Sequence, residues 1–442
     1  MPGRGLFHAV GVCAGLLLGA SAAAQTTTVL SPTGVAQGKF GAAIAGVPDL
    51  TGDLRADIIL GAPEEGAAKR GRVHVVWGTI GIVVRSLDTP NADFMGKFGF
   101  SVGGIADVNG DSRGDIIVGA PGENPGLSPD DCGRAYIFSG STGALLRTLQ
   151  SPGEEEGGGF GWSVSGIPDV NGDGFGDVVV GAPFEDPGTS PDSVGRAYIF
   201  SGATGVLLWK LFPHVIEADA RFGISVSGVP DVTGDARGDV VVGTMHSAEA
   251  GRVSQFNGAT GVRIRTVQSP GTEADGLFGF SVSGIPDVNA DGRGDFVVGA
   301  PGEDPGTSPA NVGRAYIYNG ATGTLLWKLL PLNVEADGNF GWSVAGAADL
   351  NGDARGDVVV GAPGLNPGTC PTDCGRAYIF SGSTGVRLET LFSLTSATNG
   401  RFGAAVGSIT DVNLNARAEV VVAATTEFNG GVRTGRVYLM RR

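Results

Sequence analysis

The stretch Asp169-Val-Asn-Gly-Asp-Gly-Phe-Gly-Asp177 lies between two apolar runs, FGWSVSGIP (160–168) and VVVGAP (178–183). Carboxylates fall at positions 1, 5 and 9 of this loop and an amide at position 3. Hard oxygen donors at this density suit Ca²⁺, which takes six to eight oxygens at flexible geometry. Without a cation, three like charges so close together would repel one another. Asp and Asn also favour tight turns, but a turn has no need of three carboxylates at fixed places. An EF-hand wants Glu at position 12 and flanking helices. Position 12 in four copies of the loop is Val118, Val180, Val298 or Val360, inside an apolar run, which excludes it.

The loop recurs along the chain, each time after a Phe-Gly pair. These pairs begin at Phe40, Phe98, Phe160, Phe222, Phe278, Phe340 and Phe402, at spacings of 58, 62, 62, 56, 62 and 62 residues. Each unit carries four short β-branched or alternating runs punctuated by Gly, Pro and Asp, the pattern of strands and turns. The first runs from Phe-Gly to the Asp loop, and the second follows the loop and ends in Gly-Ala-Pro. The third is GRAYIF or a variant, and a Gly-Ala-Thr-Gly or Ser-Thr-Gly turn leads to the fourth, such as LLWKL. No apolar 3.6-period run is long enough for a helix. Seven units of four strands predict an all-β, seven-bladed β-propeller. The last unit stops at its third strand, GRVYLM (435–440). Residues 26–31 supply a spare fourth strand, predicted to close the ring by covering that open edge.

Residues 25–442 therefore read as one domain. Residues 1–24 read as a secretory signal: Arg4 is the positive end, Ala9 to Ala20 is apolar but too short to span a membrane, and Ala22-Ala23-Ala24 offers the cleavage site. Removing them leaves 29 basic against 45 acidic residues, a net charge of −16, which argues against a nucleic-acid partner. Twenty of the acids stand at positions 1, 5 and 9 of the seven loops, so the acidity is mainly a metal-binding signature. The mature chain should be exported, with no transmembrane segment. Cys370 and Cys374 share one loop, and an oxidising compartment permits a disulfide between them. Cys132 has no local partner.

With Phe-Gly, the Asp loop and Gly-Ala-Pro recurring in that order, the chain resembles the FG-GAP repeat family, and in particular the seven-bladed propeller at the N-terminus of integrin α subunits. Gly-Ala-Pro begins at Gly61, Gly119, Gly181, Gly299 and Gly361; blade 4 has Gly243-Thr-Met and blade 7 has Ala423-Ala-Thr. The resemblance implies calcium ligands at positions 1, 3, 5 and 9 and a backbone carbonyl at position 7. Those residues are Asp107, Asn109, Asp111, Arg113 and Asp115 in blade 2, and Asp169, Asn171, Asp173, Phe175 and Asp177 in blade 3. Blade 5 has Asp287, Asn289, Asp291, Arg293 and Asp295; blade 6 has Asp349, Asn351, Asp353, Arg355 and Asp357. Blades 1 and 4 place Thr at position 3, giving Asp49, Thr51, Asp53, Arg55 and Asp57, and Asp231, Thr233, Asp235, Arg237 and Asp239. Weaker sites are expected there. Blade 7, with Asp411, Asn413, Asn415 and Glu419, has one carboxylate fewer and is assigned no site. About six structural Ca²⁺ ions are thus expected.

In a propeller the connection between strands two and three lies opposite the Asp loops. It is long in blades 2, 3, 5 and 6 and carries Glu123, Asp130, Asp131, Glu185, Asp186, Asp192, Glu303 and Asp304. That face is the expected partner surface, for an extracellular protein or glycan. Arg-Gly-Asp occurs at Arg113, Arg237, Arg293 and Arg355, each time with its Asp at position 9 of a loop, and is expected not to serve as a ligand motif. Gly99-Phe-Ser-Val-Gly103 matches G-x-S-x-G but occupies a strand, not the strand-to-helix elbow a hydrolase needs. His74, His214 and His246 occupy unrelated positions, and no Cys/His cluster suggests zinc. A binding or adhesion module is favoured. The alternative is a calcium-dependent propeller enzyme acting on polysaccharide, such as a lyase, although no blade is enriched in the basic groups it would need.

Overall fold

A computed structural model describes residues 25–442 apart from 92, 125, 127–129, 187, 189–191, 246–249, 272, 305, 307–308, 367–371 and 396. The expected signal segment, His246 and Cys370 lie outside the described residues. Seven four-stranded antiparallel sheets form the blades of a propeller. Blade 2 is representative, with strands Ser101–Ile105, Asp115–Ala120, Arg134–Phe138 and Leu145–Leu149. The first strand of every blade packs against the first strands of its two neighbours, and the seventh returns to the first, so the ring is closed. Among the described residues the one helical segment is a 3₁₀ turn, Ala67–Lys69.

Closure occurs as the spacing predicts. Gln25–Leu30 pairs antiparallel with Arg436–Arg441, Val29 facing Val437, and supplies the outer strand of blade 7. The first and last described strands therefore share one sheet. A short hairpin between Phe428–Asn429 and Val432–Arg433 decorates blade 7, and nothing in the repeat pattern foretold it.

The core sits between blades. The second strand is buried along its whole length in all seven sheets, as in Asp115–Ala120, because a neighbouring blade covers each of its faces. One such layer combines Ile59, Val73 and Val75 of blade 1 with Phe98, Val102, Ile116 and Val118 of blade 2. The seven Phe-Gly phenylalanines are fully buried. Phe98 meets Tyr136 and Phe138 of its own third strand at ring-centroid distances of 5.9 and 5.8 Å. Its backbone N–H donates to the carbonyl of Arg70 in the preceding blade at 2.8 Å. A serine three residues after each of five phenylalanines adds a cross-blade bond: the Ser101 hydroxyl donates to the carbonyl of Gly161 at 2.9 Å, and Ser163, Ser225, Ser281 and Ser343 repeat it. Ser101 of the G-x-S-x-G match is thus a structural strand residue.

Candidate metal loops and the opposite face

Each Asp loop turns between the first two strands of its blade. Position 2, Val108 in blade 2, is an apolar plug buried in the core, whereas positions 3 to 5 are exposed. The carboxylate at position 1 shapes the loop: Asp107 accepts the backbone N–H groups of Gly110 and Ser112, both at 2.7 Å. At position 5, Asp111 accepts the N–H of Arg113 at 2.9 Å and the hydroxyl of Ser141 at 2.5 Å. Position 9 is wholly interior. Asp115 accepts the N–H of Val108 at 2.8 Å and that of Gly140, in the turn between strands three and four, at 2.9 Å. Asp57, Asp177, Asp239, Asp295 and Asp357 do the same with Gly78, Gly202, Gly258, Gly320 and Gly382.

Burial, followed by the negative charge at positions 5 and 1, pushes the carboxyls of Asp115, Asp177, Asp239, Asp295 and Asp357 up to about 6. Their backbone bonds oppose that rise without cancelling it. Each of these loops therefore concentrates negative charge around a buried carboxylate. The donor set, carboxylate, amide, hydroxyl and carbonyl oxygens, suits a hard cation. Among the described residues no three carboxylate, imidazole or thiol side chains converge on a common point; the carboxylates at positions 1 and 5 are turned to backbone N–H groups. In blade 7 burial, followed by the Asp411 charge, pushes Glu419 up to about 7. Its Oε1 has no hydrogen-bond partner among the described residues.

The arginines at position 7 have a role that the loop pattern did not reveal. In four blades that side chain crosses to the loop of the preceding blade and meets its position-1 carboxylate. Arg113 pairs with Asp49, Arg237 with Asp169 at 3.2 Å, Arg293 with Asp231 at 3.0 Å and Arg355 with Asp287 at 3.6 Å. Every Arg-Gly-Asp triplet is consequently engaged at both ends, the arginine across a blade boundary and the aspartate in the interior.

On the opposite face the expected acidic surface needs correction. Glu123, Glu185 and Glu303 are fully buried and offer nothing to a partner. Tyr136 and Thr89 donate to Glu123, Tyr198 to Glu185, and Tyr316 and Ser269 to Glu303. In blade 1 the counterpart is Glu65, bonded to His74 at 2.9 Å and to Ser31 at 2.7 Å; in blade 7 it is Glu427, bonded to Tyr438 and Ser393. The repeat register carried this signal: glutamate four residues after the first residue of the Gly-Ala-Pro slot, tyrosine or histidine in strand three, Ser or Thr at the end of the outer strand. Leu365 takes the glutamate's place in blade 6. Asp130, Asp131 and Asp192 are exposed, and Asp186 and Asp304 are half-buried. Cys132 is a free, buried thiol, and Cys374 is disulfide-bonded.

That face also presents aromatic side chains at the mouths of the first strands. Phe100 and Trp162 lie 4.6 Å apart by ring centroid, with Phe184 5.0 Å beyond Trp162. Phe280 and Trp342 repeat the pair at 4.8 Å, and the Arg401 guanidinium lies 5.4 Å from the Trp342 ring. All four pair members are half-buried. Between blades 1 and 2 a cavity is lined by Lys39, Pro63, Lys97 and Phe100 among others.

Five segments match the FG-GAP repeat family: residues 40–76, 98–138, 160–200, 278–318 and 340–380. They are blades 1, 2, 3, 5 and 6, the five that carry Gly-Ala-Pro. Among characterised relatives, integrin alpha-5 of Xenopus laevis is 31% identical over 241 residues, 51% of this chain and 22% of that protein. Integrin alpha-PS5 of Drosophila melanogaster is 36% identical over 183 residues, covering 39% and 18%. Integrin alpha-2 of Bos taurus is 32% identical over 170 residues, covering 36% and 14%. The chain thus spans about a fifth or less of the length of these relatives.

Proposed function

Since this chain is an FG-GAP repeat β-propeller of the integrin α type, we propose that it is an exported, calcium-pinned binding or adhesion module. Its partner, a protein or glycan, docks on the face opposite the Asp loops. The carrying observation is the set of half-buried aromatics, Phe100, Trp162, Phe280 and Trp342, held at the rim of a rigid ring of inner strands. Aromatic side chains supply large contact area with little conformational freedom to lose, and they recur at the centres of binding surfaces. The names of the relatives favour binding over catalysis.

Calcium would be held in blades 1 to 6 by the oxygens of positions 1, 3, 5 and 9 and the carbonyl of position 7. Bound there, it supplies positive charge to loops that otherwise concentrate carboxylates. The chain's own contribution is to fix the loop from both sides. Position 2 anchors it in the core, and position 9 ties it to the turn between strands three and four, so a cation would brace the loop against that turn.

The test is an array of glycans and extracellular proteins probed with residues 25–442, in Ca²⁺ and in chelator, with Trp162→Ala and Trp342→Ala in parallel. Selective binding that both tryptophan variants lose while keeping their melting temperatures is expected. Binding unaffected by either variant would place the partner elsewhere, and depolymerisation of a bound polysaccharide would replace this reading with the lyase.

A further inference from the structure

We infer that the cavity between blades 1 and 2 is an anion subsite of the docking face, taking a carboxylate of an acidic polysaccharide. This rests on the binding reading above and names the class of its partner.

The cavity opens where blade 1 has a small residue and most blades have a large one. The residue after Phe-Gly is Phe100, Trp162, Phe280 or Trp342 in blades 2, 3, 5 and 6, and Ile224 in blade 4. Where two such rings adjoin they fill the boundary between blades, as Phe100 and Trp162 do at 4.6 Å. Blades 1 and 7 have Ala42 and Ala404, and beside Ala42 a cavity of about 310 Å³ opens against Phe100. That volume stands at the lower end of small-molecule sites, roughly 300–1,000 Å³. Pro63, Met95 and Phe100 supply its apolar lining.

Its polar lining is cationic, against the balance of the chain. The chain carries a net charge of −15 and only five lysines, and three of them, Lys39, Lys69 and Lys97, line this cavity. Lys39 and Lys97 are equivalent residues of neighbouring blades, each immediately before Phe-Gly. The turn there holds both in the left-handed region, at φ of 54° and 57°. The carbonyl of each accepts the backbone N–H three residues on, at 2.9 Å. Lys69 ends the 3₁₀ turn in the short connection of blade 1. Glu64 is the one acid in the lining, and Lys39 and Lys69 take its two oxygens at 2.5 and 2.9 Å. The site thus already holds one carboxylate between two ammonium groups. Each ammonium has three donors, so both lysines keep donors for a second carboxylate. Lys97 makes no side-chain hydrogen bond or ion pair among the described residues. Three ammonium groups against one carboxylate leave two positive charges in excess.

The match to a saccharide comes from what adjoins this charge. Phe100 continues into Trp162 and Phe184, at successive ring-centroid distances of 4.6 and 5.0 Å. All three rings are half-buried. A uronate ring carries a carboxylate at its edge and apolar C–H groups on its faces. One uronate would set its charge among the lysines while the next sugars lie along the rings, which offer rigid apolar area. An acidic peptide would satisfy the lysines but leave the row of rings unmatched.

The experiment is calorimetric titration of residues 25–442, in Ca²⁺, with hexasaccharides of galacturonate, mannuronate and hyaluronan. Each is compared with its carboxyl methyl ester, and a hexaglutamate peptide is run in parallel. One charge about 4 Å away in a water-like medium is worth about fivefold in affinity. At least one uronate should bind, and its ester about fivefold or more weakly. Lys97→Gln should weaken binding about fivefold at an unchanged melting temperature, and Trp162→Ala should weaken it too. Lys328→Gln, on the outer strand Leu325–Leu329 of blade 5, should change nothing. Uronates bound no better than their esters, or bound equally by Lys97→Gln, overturn the inference. Hexaglutamate bound while every uronate is refused also overturns it and makes the partner an acidic protein. In each case an array ligand still captured through Trp162 and Trp342 leaves the binding reading standing, whereas capture of nothing removes both.

Discussion

Gly119 and Gly161 meet backbone to backbone across the boundary between blades 2 and 3: a Cβ on Gly119 would lie 2.0 Å from the carbonyl oxygen of Gly161. The first belongs to Gly-Ala-Pro and the second to Phe-Gly, so the two motifs are the halves of one contact. Gly61 and Gly99, Gly181 and Gly223, Gly243 and Gly279, Gly299 and Gly341, and Gly361 and Gly403 repeat it with the same clash at 2.0 or 2.1 Å. Gly161 has a further requirement, a φ of 87°, which a residue with a Cβ adopts only under strain. The family motif is therefore a packing rule for neighbouring blades.

Gly119→Ala should lower stability by about 2–3 kcal/mol, because the neighbour it strikes is main chain and cannot rotate away. Gly126→Ala, at a glycine with nothing within 4 Å of the added Cβ, is the control and should change little. Urea denaturation of the two variants checks this. Equal midpoints would show that the blades can slide apart at no cost.

The buried Glu65–His74 pair carries a pH dependence. Burial raises the Glu65 carboxyl, but the bond and charge of His74, with the Ser31 hydroxyl, outweigh it and hold the group below its ordinary value. A lowered folded-state pKa contributes stability above the ordinary glutamate value, and that contribution is lost as pH falls through the folded one. Glu123, whose partner is Tyr136, goes the other way: burial raises it, so its contribution is present at low pH and lost as pH rises through the folded value. His74→Tyr gives Glu65 the surroundings of Glu123. Relative to wild type, the variant should become more stable as pH falls from 6 to 4, read from urea midpoints in saturating Ca²⁺. Parallel curves would mean that His74 does not set the ionisation of Glu65.

The ring was legible in the sequence because a 60-residue period repeats its punctuation. Phe-Gly, the Asp loop and Gly-Ala-Pro set strand order, blade number and the closing segment, and these need only chain spacing. What lay hidden were side-chain destinations that cross from one blade to the next. Glu123, Glu185 and Glu303 sit in Gly- and Pro-rich loops, where acids are ordinarily solvated; only the tyrosine thirteen residues on shows that each is an interior acceptor. Arg113 stands in an exposed acidic loop, and nothing local tells that its partner is Asp49, 64 residues earlier. Reading one repeat against the next in sequence, rather than each alone, is what exposes such pairs.

Calcium should raise the melting temperature of residues 25–442 in a saturable way. For a site whose dissociation constant lies about tenfold below the free ion concentration, mass action adds roughly 1.4 kcal/mol. Asp173→Asn in blade 3 should lose about one site's share and retain the rest. Scanning calorimetry at 0 and 5 mM Ca²⁺ decides it. A melting temperature indifferent to both Ca²⁺ and chelator would remove the structural role proposed for the ion.

The closing strand makes the last prediction. Val29 is 2% exposed and packs with Phe40, Val421 and Val437 where the two ends of the ring meet. Its neighbour Leu30, on the opposite face of the same strand, is 41% exposed. A carboxylate at Val29 would be buried among apolar side chains, so Val29→Asp should cost at least about 3 kcal/mol and strip the outer strand from blade 7. The unpaired edge of Arg436–Arg441 would then be free to recruit strands from other chains, and soluble aggregates should form well below the wild-type melting temperature. Leu30→Asp should stay within about 1 kcal/mol of wild type and scatter light as the wild type does. Light scattering during a thermal ramp separates the two, and equal behaviour would show that the ring does not depend on its N-terminal strand.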